Sequence, residues 1–191
     1  MRVDQRSTSY RKDDRRLHLD AFPSRPTQGR RILRVFSNVN LEGAPRVWQL
    51  GEPFADVAAR FLPQLRRSPP GSAWLLDWSG ITKGRRSVYD QLMLRLHDRI
   101  KADTDYQRNA WHCEFSFPPG SSWIIYTDTV LHAAIDGQHA LEQTFYLPVT
   151  AMLDPELSPL RVLERMTGRR LTKQGGTAVT SEVGAPEPLS S

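Results

Sequence analysis

Cysteine is almost absent: Cys113 is the one thiol in 191 residues. A single thiol excludes an internal disulfide and a cysteine-built zinc site, and it suits a reducing cytoplasm. No apolar run reaches the roughly 18 residues that a bilayer-spanning helix requires. The opening residues, MRVDQRSTSYRKDDRR, lack the apolar core of a secretory signal, so none is expected. Lysine is scarce too. Of 26 basic residues only Lys12, Lys83, Lys101 and Lys173 are lysine. Arginine therefore supplies most of the basic charge, and its planar fork suits carboxylates and phosphates. The net charge of +5 permits a nucleic acid, an anionic membrane surface or an acidic small molecule. A merely solvated surface would have the same composition. No helix-turn-helix or base-stacking pattern accompanies the charge, so nucleic acid is not expected.

What the sequence does contain is a β-rich pattern with a few helices. ILRVFSNVN (32–40) is β-branched and aromatic and lies between Gly29 and Gly43, which predicts a strand. RVWQL (46–50) predicts another, and a short one is expected around Arg16–Ala21. Phe54, Val57, Ala58, Phe61, Leu62 and Leu65 recur at gaps of three and four, which predicts a helix with Pro53 at its start. AWLLDWSGI reads equally as strand or buried helix, and GITKGRRS as a basic loop. A second helix follows, with Val88, Leu92, Leu96 and Ile100 on one face beside Tyr89 and Met93. Four short strands come next, WHCEFSF, SWIIYT, VLHAAI and LEQTFYLPV, separated by tight turns. They read as a meander or as half of a barrel or jelly roll. A short helix near Pro159–Met166 precedes a Gly-, Ser- and Pro-rich tail, 171–191, expected to be disordered. The expected organisation is thus one mainly β, α+β domain over 1–170 and that tail.

Of the five histidines, one sits in a pattern with metal logic. His18-Leu19-Asp20 is an H-x-D at a strand end, where residues i and i+2 share a face and converge on one ion. A third ligand must come from downstream. His132, inside an apolar hairpin, is favoured over His139. Two histidines and one carboxylate on one face of a metal suit non-haem Fe(II), because the opposite positions stay open for a chelating co-substrate and O2. An isolated H-x-D is equally compatible with an incidental surface pair. His97 reads as a solvated or capping residue, His112 as a sheet histidine, and Cys113 as a small buried apolar group. Arg34 shares a strand face with Ile32, Phe36 and Asn38. A buried arginine there needs an anion, which makes it a carboxylate clamp unless it lies on a solvated edge. Asn38 and Gln143 are the polar neighbours placed to hydrogen-bond a co-substrate.

LHLDAFPSRPTQGRRILRVFSNVN, RVWQLGEPFADVAARFLP, GITKGRRSVYDQLMLRLHDRIKAD and FPPGSSWIIYTDTVLHAAIDGQHALEQTFYLPV resemble the 3-deoxy-D-manno-oct-2-ulosonic acid (Kdo) hydroxylases over residues 8–171. The resemblance implies a double-stranded β-helix of the jelly-roll or cupin-like kind. It implies a dioxygenase that uses Fe(II), 2-oxoglutarate and O2 to hydroxylate the Kdo sugar of lipopolysaccharide at C3. His18, Asp20 and His132 become the iron ligands, and Arg34 the 2-oxoglutarate anchor. Many related oxygenases carry an arginine on the strand after the distal histidine; Gln143 stands in that region here, which favours Arg34. In the family a long stretch of chain precedes the H-x-D, so the resemblance also implies that the family's N-terminal portion is lacking. Arg25, Lys83, Arg85 and Arg86, on Gly- or Pro-flanked loops, are candidates for the substrate's carboxylate or phosphates. The implied partner is a Kdo-containing lipid A or lipopolysaccharide precursor, met peripherally at the cytoplasmic face of the inner membrane. The competing readings are a non-catalytic cupin-like module, an inactive fragment of such a hydroxylase, and a basic nucleic-acid binder.

Overall fold

A computed structural model of the chain describes residues 9–65 and 86–172. Its strands are β1 (Arg31–Asn38), β2 (Arg46–Pro53), β3 (His112–Phe117), β4 (Ser122–Tyr126), β5 (Val130–Asp136) and β6 (Ala140–Leu147). Its helices are α1 (Phe54–Leu65), α2 (Val88–Ala102), α3 (Thr104–Asn109) and α4 (Pro159–Thr167). The strands form two antiparallel three-stranded sheets, ordered β4-β1-β6 and β3-β2-β5. The architecture is therefore mixed α and β, with antiparallel pairing throughout both sheets. The last four strands are not a meander. β3 and β5 flank β2 while β4 and β6 flank β1, so successive strands alternate between sheets. The short turns between them cross from one sheet to the other instead of folding each strand back on its predecessor.

Two apolar clusters follow. Phe36, Trp48 and Ala134 pack with Leu50, Phe117, Trp123 and Ile125, which joins residues of both sheets. Phe117 and Trp123 stack with ring centres 3.9 Å apart. The larger cluster gathers the apolar faces of α1, α2 and α4 with Leu131 and Ala133 of β5. All six residues of the expected α1 face are buried. On α2, Tyr89, Leu92, Met93, Leu96 and Ile100 are buried, whereas Val88, at the first turn, is exposed.

The expected strand near Arg16–Ala21 reduces to one bridge, His18 to His132, made by two backbone hydrogen bonds of 2.9 and 3.0 Å. Leu17 and Leu19 turn into the helical core, so His18 and Asp20 face the other way. The core also runs past the expected start of the tail. Leu171 is buried, its N–H donating to Glu164 and its carbonyl accepting from Tyr89. The rest of that tail, 173–191, and the segments SPPGS and AWLLDWSGI lie outside the described residues.

Candidate metal centre

The backbone bridge carries residues 18 and 132, far apart in sequence, to one place. One potential ligand atom from each of His18, Asp20 and His132 lies within 4.8 Å of the other two, and all three residues are buried. Asp20 Oδ1 is 3.7 Å from His18 Nε2 and 3.9 Å from His132 Nε2. The rings are oriented from behind. His18 Nδ1 lies 2.7 Å from the Arg16 carbonyl and His132 Nδ1 2.8 Å from the Val130 carbonyl. A carbonyl only accepts, so each Nδ1 carries the proton and each Nε2 presents a lone pair. That is the tautomer a metal needs, with the outer hydrogen bond fixing the ring.

Electrostatics agree. Burial holds His18 well below its usual pKa, helped by the His132 and Lys101 charges. Burial likewise lowers His132. For Asp20 burial alone would raise the pKa, but His132, Arg34 and His18 outweigh it and the carboxyl is lowered. Two neutral imidazoles and one carboxylate are the donor set of the non-haem ferrous site. The residues present therefore fit such an ion.

The segment before the site is held by Gln107, whose amide accepts from Leu17 N–H and donates to Leu17 C=O. Asp20 N–H donates to the Thr127 carbonyl. Trp48 lies parallel to the His132 ring, with centres 5.3 Å apart, and His97 meets His18 edge-on at 5.7 Å. The triad opens onto a cavity of about 210 Å³, whose charged wall includes Arg34, Arg46 and Glu142, with Phe36 and Trp48 as apolar lining.

Arg34 is at the site. Its Nη1 donates to Asp20 Oδ2 at 2.7 Å, and its Nη2 pairs with Glu142. Asn38 is not. Its amide is spent on the Ala44 and Phe117 carbonyls and on Asn40 N–H, so it braces the β1 end. Gln143 is exposed on β6, and its neighbour Glu142 faces the cavity instead. His139 occupies a left-handed turn position away from the triad, and His112 sits exposed at the start of β3. Cys113 is half-buried, its thiol near the Leu50 carbonyl. Arg25 lies on the exposed loop beside Phe22, and Arg86 donates to the Pro23 carbonyl of the same loop. Lys83 and Arg85 lie outside the described residues. Sequence reasoning missed Arg46 and Glu142. The signal for Arg46 was its alternation with Trp48 in RVWQL; for Glu142 there was none.

Among known families, the model of the 3-deoxy-D-manno-oct-2-ulosonic acid (Kdo) hydroxylase family matches residues 1–170. No curated protein matches the chain. Among solved structures, the Kdo hydroxylase KdoO, described as a non-heme Fe(II) alphaketoglutarate dependent dioxygenase, is similar in complexes with alphaketoglutarate and Fe(III) and with cobalt(II). Each is 52% identical with a TM-score of 0.85, covering 93% of this chain and 60% of that one. The complex with succinate and Fe(III) is 53% identical with a TM-score of 0.83, covering 90% and 59%. The chain thus spans about 60% of the length of the solved structures it matches.

Proposed function

The chain belongs to the Kdo hydroxylase family, and we propose that it hydroxylates the Kdo sugar of a lipopolysaccharide or lipid A precursor, at C3, with Fe(II), 2-oxoglutarate and O2. The observation that carries this reading is the convergence of His18, Asp20 and His132 at the wall of an open cavity. The alternation of strands between two antiparallel sheets supports a double-stranded β-helix.

His18 and His132 would hold the iron through Nε2, and Asp20 through Oδ1. Bound ferrous iron supplies O2 activation coupled to decarboxylation of the 2-oxoacid. The chain's residues supply position. The Arg16 and Val130 carbonyls keep both imidazoles in the ligating tautomer. Arg34 occupies Asp20 Oδ2, which leaves Oδ1 for the metal. Arg34 is also the anchor for the far carboxylate of 2-oxoglutarate. Among the described residues its Nε is buried without a hydrogen-bond partner. The co-substrate would take the place of Glu142, whose side chain remains about a third exposed to solvent. Phe36 and Trp48 exclude water from that wall.

Arg25 and Arg86 stand on or against the loop that leads away from Asp20 and would meet the substrate's outer anions. No helix among the described residues is long and apolar enough to cross a membrane. Contact with a lipid-borne substrate would be peripheral, from the cytoplasmic side.

Anaerobic titration tests the reading. Adding Fe(II) and then 2-oxoglutarate should produce a visible metal-to-ligand absorption band, lost in His132→Ala, and Kdo-lipid A should then be turned over under O2. No band at millimolar co-substrate leaves a non-catalytic module. A band without turnover leaves an inactive fragment.

A further inference from the structure

Glu142 lines the cavity from β6. It stands opposite Phe36 of β1 and diagonal to Arg34, whose own partner across the strands is Thr144. Among the described residues Arg34 is its one ion-pair partner. That pairing is incomplete. Nε and Nη2 form one edge of a guanidinium, an edge that takes a carboxylate through two parallel bonds. Glu142 meets Nη2, whereas Nε is buried and has no hydrogen-bond partner among the described residues. Nη1 is spent on Asp20. Glu142 thus fills half of the edge that faces it. Its side chain is 35% exposed, against 16% for Arg34, so it has room to leave.

A carboxylate that engages both donors is the stronger partner, so the co-substrate displaces Glu142 instead of sharing the edge with it. The displaced carboxylate then stands close to another carboxylate and beside Phe36, where like charge and desolvation both count against it. Thr144 Oγ1, 3.5 Å from Glu142 Oε1, is too distant to satisfy it. A released Glu142 is therefore an acceptor in need of O–H donors, on a wall that the substrate must reach to approach the triad. Sugar hydroxyls are such donors, and their bonds to a carboxylate are short and strong. The sugar's own carboxylate is repelled there, so Glu142 selects the hydroxyl-bearing side of the ring.

We propose that Glu142 is a substrate-binding residue with two partners in turn: Arg34 before 2-oxoglutarate binds, and hydroxyl groups of the acidic sugar once 2-oxoglutarate has taken Arg34. This rests on the hydroxylase reading above, which brings both molecules to one cavity. The exchange couples them. Co-substrate binding frees Glu142 for the sugar, and the sugar stabilises the freed carboxylate. Each ligand therefore raises the affinity of the other by the same factor.

The test uses the chain loaded with Co(II) without O2. It is titrated calorimetrically with 2-oxoglutarate and with the methyl glycoside of Kdo, each alone and each in the presence of the other. In the wild-type chain each should bind about tenfold more tightly when the other is present. Glu142→Gln removes the competitor for Arg34 and the charged acceptor together, so its two effects should have opposite signs. 2-Oxoglutarate alone should bind several-fold more tightly. The sugar, with 2-oxoglutarate present, should bind about tenfold more weakly. The mutual enhancement should disappear, and Glu142→Asp, a shorter acid, should keep part of it. Weakening of both ligands together in Glu142→Gln is what a merely structural role gives, and it overturns the proposal. So does an unaltered affinity for either one. Thermal melting checks that each variant folds; if Glu142→Gln does not, Glu142→Asp carries the comparison, and an undiminished enhancement there overturns the proposal. Binding of Co(II) and 2-oxoglutarate with no sugar binding overturns this inference alone. Failure to bind Co(II) overturns the hydroxylase reading itself.

Discussion

Arg31 never faces the cavity, yet the position of Asp20 depends on it. It is 1% exposed, and its Nε and Nη2 donate to the two oxygens of Asp128 at 2.7 and 3.0 Å. Its guanidinium lies 4.1 Å from the centre of the Tyr126 ring. Asp128 follows Thr127, whose carbonyl accepts from Asp20 N–H and whose own N–H donates to Ile32. The pair therefore ties the start of β1 to the turn that holds the Asp20 backbone. Removing one partner strands a buried charge, which costs about 3–5 kcal/mol, whereas replacing both with apolar residues is often neutral. Arg31→Met should lose that much stability in urea unfolding and weaken Co(II) binding. Arg31→Met with Asp128→Leu should recover most of the stability. A single variant costing under about 1 kcal/mol would remove the pair from this role. Residue-scale legibility in the sequence had a clear limit. His18 and Asp20 were legible because strand alternation alone puts i and i+2 on one face. Gln143 was misplaced because β6 inverts the ordinary pattern. Its apolar Leu141 and Phe145 are 64% and 44% exposed, and Glu142 faces the polar cavity. A strand that lines a charged site cannot have its phase set by hydrophobicity.

Elements behave differently, because helix periodicity is a property of many residues at once. The six apolar positions of α1 and most of those of α2 were readable for that reason. The pairing of the strands was not. Each late strand pairs with β1 or β2, far away in sequence, and turn length gives no partner. Element ends also carry long-range information that spacing omits. Ser87 and Asp90 form a capping box at the start of α2. The same Asp90 carboxylate accepts from the N–H groups of Thr27 and Gln28, which pins the loop after the H-x-D to the helix. Ser87→Ala removes one cap and should cost about 1 kcal/mol. Asp90→Ala removes the reciprocal cap and leaves the two loop N–H groups unpaired, so about 2–4 kcal/mol is expected. Asp90→Asn keeps an acceptor and should fall between them. Denaturant midpoints of the three variants check the order, and equal losses for Ser87→Ala and Asp90→Ala would show that the loop bonds contribute nothing.

For the whole molecule, the consequence of alternating strands is that an early segment and β5 meet across a single bridge, with the triad on it. Few backbone hydrogen bonds join them there, so an ion shared by His18, Asp20 and His132 would fasten two distant parts of the chain. The same residues are scattered in the unfolded chain, so the ion binds the native state far better and stabilises it by mass action. At a free Co(II) concentration 100 times its dissociation constant the gain is about 2.7 kcal/mol. Thermal unfolding should therefore move up with Co(II), return to its starting point with a chelator, and show no such shift in His132→Ala. Comparison of His132→Ala with its own metal-free form separates the loss of linkage from the cost of emptying a buried position. Gln143→Ala, at an exposed position of β6, serves as the control, since it leaves His18, Asp20 and His132 untouched and should keep the shift. A Co(II)-dependent rise of equal size in His132→Ala would place the ion elsewhere on the surface and detach the triad from metal binding.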